Sequence, residues 1–118
     1  MHRVCRKDAT LIINVPFFYW LHEEPHDDFR STRHALVYLV EKAGFEVISV
    51  EPLGGAPEVL ADFCAKILRG IPVIGKGAGV LVQRLVWAFI STGTGKKVSE
   101  KTGQVFPLAY GLVARKPD

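Results

Sequence analysis

The stretch ATLIINVPF, residues 9–17, decides the fold. It is a short, continuous apolar run, β-branched at Ile12, Ile13 and Val15, and Pro16 ends it. A run of this length and composition reads as a strand buried on both faces, the kind parallel sheets contain. Working outward, a polar loop follows, and Ser31 or Thr32 then caps the helical pattern TRHALVYLVEKAGF, residues 32–45. Leu36, Leu39 and Val40 recur there at helical spacing, with Ala35 and Ala43 extending the stripe. Gly44 stands where a helix C′ residue belongs, and Lys42 lies in the last turn. FEVISVEPL, residues 45–53, presents Phe45, Val47, Ile48 and Val50 as a second strand ended by Pro52. A strand–helix–strand unit predicts two parallel strands joined by a right-handed crossover.

Composition shifts after residue 53. GGAPEVLADFCAKILRG, residues 54–70, opens on a Gly/Pro break and then predicts a helix striped by Val59, Leu60, Phe63, Ile67 and Leu68. After the connector GIPVIGKGAG, residues 70–79, VLVQRLVWAFI, residues 80–90, is apolar almost all round. Such a helix is deeply buried, or it is covered by a partner or a membrane surface. STGTGKKVSEKTGQ, residues 91–104, reads as a polar, mobile segment. VFPLAYGLVARKP, residues 105–117, reads as a closing strand, with Pro107 near its start and Gly111 within it. The expectation is one domain over 1–118: a strand–loop–helix–strand unit to residue 52, a helical insertion over 53–104 and a closing strand over 105–118.

The 118 residues suffice for one domain with a real core, and 48% hydrophobic with 23% charged is a globular composition. The formal net charge is +3, and no basic stripe with interleaved aromatics accompanies it, so nucleic acid is not an expected partner. Cys5 and Cys64, the only two cysteines, lie far apart in sequence and predict neither a disulfide scaffold nor a Cys-based metal site. The charged N-terminus lacks a signal-peptide pattern. Residues 71–90 are broken by Lys76, by glycines and by Gln83-Arg84, short of the roughly 20 apolar residues a spanning helix needs. A cytoplasmic location is the expectation.

The loop after the first strand, PFFYWLHEEPHDDFRST at residues 16–32, concentrates imidazoles and carboxylates. HEEPH, residues 22–26, satisfies H-E-x-x-H, which in a zinc hydrolase puts two ligands and a general base on one helical turn. Pro25 argues against that alternative, because a proline inside a helix costs about 3 kcal/mol and pushes the preceding residue, here Glu24, out of helical geometry. No metal ligands are assigned. The plain reading is a polar loop held by internal hydrogen bonds and ion pairs, for instance Arg30 with Glu23 or Asp27. GIPVIGKG, residues 70–77, approaches a phosphate loop, but Gly77 takes the place of the required hydroxyl and the segment follows a helix rather than a strand. The position of the 16–32 loop carries more weight. Ligands of open α/β sheets bind beyond the carboxyl ends of the strands. His22, His26, Asp27 and Asp28 are therefore candidates to orient a substrate or accept a proton, histidine being suited to base work near neutrality.

Residues 3–55, RVCRKDATLIINVPFFYWLHEEPHDDFRSTRHALVYLVEKAGFEVISVEPLGG, resemble the C-terminal half of class I S-adenosylmethionine-dependent methyltransferases of the type 11 kind. The resemblance rests on a strand ending in VP, a loop with LHE, P, HD, R and T in order, a helix ending AGF and a second strand; YGLVARKP, residues 110–117, is similar to the family's last strand. RVCRKDA fits the preceding turn loosely, because Lys7-Asp8-Ala9 replaces the usual Pro-Gly-Gly. The coverage is nearly the whole chain but only half of the family's domain.

The resemblance implies an α/β, partial Rossmann-like fold. Its small mixed sheet would have three strands, two parallel and the last antiparallel between them, with residues 56–104 as a helical insertion. It implies that Pro16, Phe17, Trp20, His22, Glu23, His26, Asp28 and Arg30 line the acceptor-substrate side, with His22, His26 and Asp27 as the catalytic candidates. The family holds S-adenosylmethionine with a Gly-rich turn and an acidic residue on earlier strands, which have no counterpart among these residues. The expectation is therefore a truncated or split methyltransferase-like protein that neither binds the cofactor nor acts alone. The alternative is a non-catalytic interaction or oligomerisation module, partnered by a missing N-terminal half or by self-association through the exposed edge of the first strand. Contact of the apolar helices with a membrane is a further reading, and an ordinary helical cap packed on the sheet is preferred to it.

Overall fold

The structure is a computed structural model that describes residues 2–21, 24–26 and 28–117. After a 3-10 turn at His2–Val4, the elements run β1 (Thr10–Pro16), α1 (Arg33–Lys42), β2 (Glu46–Leu53), α2 (Ala56–Arg69), α3 (Gly75–Ile90), α4 (Gly93–Gly103) and β3 (Ala109–Arg115).

Helix α1 starts where Thr32 turns its hydroxyl oxygen back to accept the Ala35 amide at 3.2 Å, satisfying one of the orphan donors of the first turn. It ends at Gly44, whose φ of +89° is the left-handed conformation that favours glycine. Leu36 and Val40 are buried while Leu39 is exposed, so the apolar stripe is narrower than the spacing suggests.

The sheet has the order β1-β3-β2. β3 pairs antiparallel with β1, from Thr10 opposite Arg115 to Pro16 opposite Ala109, and antiparallel with β2, from Glu46 opposite Arg115 to Leu53 opposite Ala109. This corrects the expected Rossmann-like mixed sheet with a parallel pair: every ladder among the described residues is antiparallel. The last strand takes the central antiparallel place expected of it, and because it parts β1 and β2, the two strands joined through α1 share no hydrogen bonds with each other. A register shift between Val47 and Ser49 leaves Ile48 turned outward.

One face of this sheet carries the core. Leu112, Ala114 and Tyr110 of β3 pack with Val50, Phe45 and the Leu36 and Val40 side chains of α1, and Leu11, Ile13 and Val15 of β1 border them. The other face is open, and Ile12 is 76% exposed there. The double-sided burial expected of β1 is thus also corrected, because no described helix covers its second face.

The helical insertion departs from expectation in three ways. First, α2, α3 and α4 pack on one another, while only α1 packs substantially on a strand, so the insertion is not a cap on the sheet. The radius of gyration is 17.3 Å, against roughly 13–14 Å for a compact chain of this length, and the extents are 55 × 38 × 21 Å. Second, α2 does not bury Leu60 and Ile67, which are exposed; it buries Val59, Ala61 and Ala65. Ala61 and Ala65 share a face with Gly75 and Gly79 of α3, and a Cβ on Gly79 would stand 2.9 Å from the Ala65 carbonyl oxygen. A Cβ on Gly75 would overlap the Leu68 carbonyl. The two helices therefore meet through their backbones. Third, residues 93–103 are helix rather than a mobile segment. Thr92 caps them by accepting the Gly95 amide at 3.1 Å, and Thr102 accepts the Ala56 amide at 2.9 Å, tying α4 to the start of α2.

This seam makes a test. Gly77 faces open space, so Gly77→Ala should raise the melting temperature, because alanine is favoured over glycine in a helix interior by about 0.8–1 kcal/mol. Gly79→Ala has the same propensity gain but meets the Ala65 carbonyl, and should lower the melting temperature. Equal stabilisation by both would contradict the close approach.

Candidate functional site

Four consecutive aromatic residues leave the carboxyl end of β1, the first two toward the sheet and β3, the last two toward α2. The Phe17 amide donates to the Leu108 carbonyl at 2.9 Å, which continues the strand pairing and fixes where the loop departs. Its ring turns inward, edge-on to Phe18 at 4.9 Å and tilted against Tyr110 at 5.6 Å. Phe18 stacks on Phe106, ahead of β3, at 5.1 Å. Tyr19 lies under the Lys66 ammonium at 3.5 Å, and Trp20 packs against Phe63 at 6.3 Å. Lys66 and Phe63 both belong to α2, so Tyr19 and Trp20 join the end of β1 to the helical insertion. Asp62 holds Lys66 from one turn earlier in the same helix.

The result is a crevice with Tyr19 at its middle. On one side, a groove of about 340 Å³ is lined by Asn14, Pro16, Tyr19, Leu108 and Ala109. On the other, a groove of about 540 Å³ is lined by Tyr19, Trp20, Leu21, Glu24 and Phe63. The walls are aromatic and apolar, with the Asn14 amide, the Tyr19 hydroxyl and the Glu24 carboxylate as polar groups. Such a mixture suits a flat, partly apolar molecule oriented by a few hydrogen bonds.

Of the residues expected at the site, Pro16 and Trp20 line the grooves, and Phe17 packs on the core beside them. His26 and Asp28 are exposed and line neither groove. Arg30 donates to the Trp20 and Phe29 carbonyls, each at 3.4 Å, bracing the loop from behind. His22, Glu23 and Asp27 lie outside the described residues. Glu24 and Pro25 lie in a turn and not in a helix, whereas the H-E-x-x-H reading requires a helical turn. Sequence reasoning missed Asn14, Tyr19, Glu24 and Lys66. The run FFYW signals Tyr19, but the partnership of Lys66 with it arises only from the docking of α2 against the loop.

A second crossing is closed to ligands. Gly54 and Gly55 join the end of β2 at Leu53 to the start of α2 at Ala56, a strand–glycine–helix junction that resembles an anion site. Glu58 of the helix accepts the Gly55 amide at 2.9 Å and Thr102 of α4 accepts the Ala56 amide, so side chains of the protein satisfy this terminus.

The contact between Tyr19 and Lys66 can be measured. A double-mutant cycle with Tyr19→Leu and Lys66→Met should return a coupling of about 0.5–1 kcal/mol in thermal unfolding. Additivity of the two changes would mean the loop does not dock on α2. No family model matches the chain, and neither a curated protein nor a solved structure matches it.

Proposed function

We propose that the chain contributes the acceptor-substrate side of an S-adenosylmethionine-dependent methyl transfer and does not act without cofactor-binding residues supplied from elsewhere. The observation that carries this reading is the crevice around Tyr19, beyond the carboxyl end of β1 and walled by Trp20 and Phe63. Strands in α/β proteins commonly end at ligands, and the chain order of the sheet, with its last strand between its first two, supports the same reading. In a methyl transfer the acceptor must lie in line with the sulfonium, and positioning supplies much of the rate. Tyr19 and Trp20 would clamp the acceptor ring, and Glu24 at the groove's rim would take a proton from it.

A second reading, an interaction module, is favoured by the contrast between the sheet's two edges. The β2 edge carries Glu46, Glu51, Pro52 and an irregular register, the devices that block strand addition. The β1 edge, TLIINVP, carries no charge and no irregularity before its terminal proline. The same bare edge serves both readings, as the seat of a strand from a cofactor-binding half or from another copy.

Two measurements separate them. In nuclear magnetic resonance titrations with a simple phenol and a simple indole, shifts should centre on Tyr19, Trp20 and Phe63 and vanish in Trp20→Ala, while S-adenosylmethionine gives no heat by calorimetry. Micromolar cofactor binding would overturn the acceptor-side assignment, and an absence of ring-ligand shifts would remove the site. For the second reading, light scattering should show self-association that Ile12→Lys abolishes; a monomer at high concentration would exclude it.

A further inference from the structure

The α2–α3 hairpin is built inside out. Its closest approach is made by Ala61, Ala65, Gly75 and Gly79, while many of its large apolar residues are left exposed. On α3 the outward side presents Val80, Leu81, Leu85 and Trp87, the last 70% exposed. Leu60 and Ile67 do the same on α2. In water a helix pair buries its large side chains and exposes its small ones; small residues at the seam and large apolar ones outside is the arrangement of helices packed in lipid. The tip of the hairpin repeats the pattern. Ile71, Val73 and Ile74 are exposed there, and Val73 is fully exposed with φ of +70°. A β-branched residue in that region is strained, and folding in water derives no packing from this one.

Charge identifies what covers this surface. The hairpin, residues 56–90, contains four Lys and Arg and two acids, Glu58 and Asp62, both in the first half of α2 and both engaged with neighbouring groups, so residues 63–90 carry cations alone. Lys76 and Arg84 sit among the outward apolar residues of α3. Two copies meeting through this face would oppose like charges, while an anionic surface would complement them. No helix among the described residues is long and apolar enough to cross a membrane, and α3 at about 24 Å is shorter than a hydrocarbon core.

We infer that the α2–α3 hairpin is a monotopic anchor: its Ile71–Ile74 tip and the outer side of α3 enter the interface of an anionic lipid bilayer, with Lys76 and Arg84 at the headgroups. The crevice beside α2 would then be held near the membrane surface. This inference does not rest on the methyl-transfer reading.

The test is partition of the full chain onto vesicles of phosphatidylcholine alone and of phosphatidylcholine with about a third phosphatidylserine. Binding should be much stronger to the anionic vesicles, should shift tryptophan emission to the blue, and the shift should be lost in Trp87→Phe. Replacing Lys76 and Arg84 by Gln should weaken binding by about fivefold each. Leu85→Glu should abolish it. Val73→Gly is the decisive variant, because it relieves backbone strain: the melting temperature should hold or rise while vesicle binding falls. No binding, equal binding to both vesicles, a Val73→Gly variant that binds as well as the parent, or a dimer in solution that Leu85→Glu dissociates would each overturn the inference.

Discussion

Everything in this molecule hangs on β3. β1 and β2 share no hydrogen bonds, and within the sheet each is paired only with the last strand. β3 also supplies the best-buried side chains of the core, Leu112 and Ala114. Its pairing with β1 closes a loop of most of the chain's length, an entropic cost met before any of the sheet's contacts form. The intervening helices shorten that path. Thr102 of α4 accepts from Ala56 at the start of α2, and the Leu108 amide donates to the Leu53 carbonyl, so the end of the insertion is delivered beside its beginning.

The crevice inherits its shape from the same closure. Phe106 and Leu108 precede β3, and they meet Phe18 and Phe17 only because β3 lies beside β1. The aromatic run leaving β1 is thus clamped between the approach to β3 on one side and α2 on the other. What remains uncovered is as informative as what is packed. The sheet's second face, the β1 edge and the outer side of α2–α3 are left bare by the described residues, and the chain is elongated for its length. These surfaces differ in kind: the β1 edge offers unpaired backbone groups without charge, while the hairpin offers bulky side chains among cations.

Much of the local structure is legible in the residues. The β-branched run at 9–17, the Thr32 cap, the Gly44 stop and the closing strand each announce themselves through short-range chemistry that tertiary packing does not override. The failures share a physical cause. Period 3.6 says that α2 is a helix, but with apolar residues on several sides it does not say which side is buried. Ala61 and Ala65 win over Leu60 and Ile67 because Gly75 and Gly79 let the α3 backbone come close. The α4 segment, rich in glycine and short of apolar residues, reads as mobile because its stability comes from Thr92, Thr102 and contacts with its neighbours. The strand–helix–strand unit alone suggests two strands paired directly, while the expected antiparallel place of the closing strand between them is the one the ladders show. Pro16 and Trp20, named through the resemblance, border the grooves beyond β1. His26 and Asp28 drew attention by their chemistry and proved to be solvent-facing, while Lys66 reaches Tyr19 across more than forty residues of sequence.

The organising role of β3 is tested most directly by native-state hydrogen exchange on the parent chain and on Leu112→Ala. Truncating this fully buried side chain should cost about 3–5 kcal/mol. The account expects the amides of β1, β2 and β3 to lose protection together and by the same amount, as one cooperative unit. If β2 and α1 kept their protection while β1 and β3 lost theirs, the sheet would not depend on its last strand, and the account would be wrong.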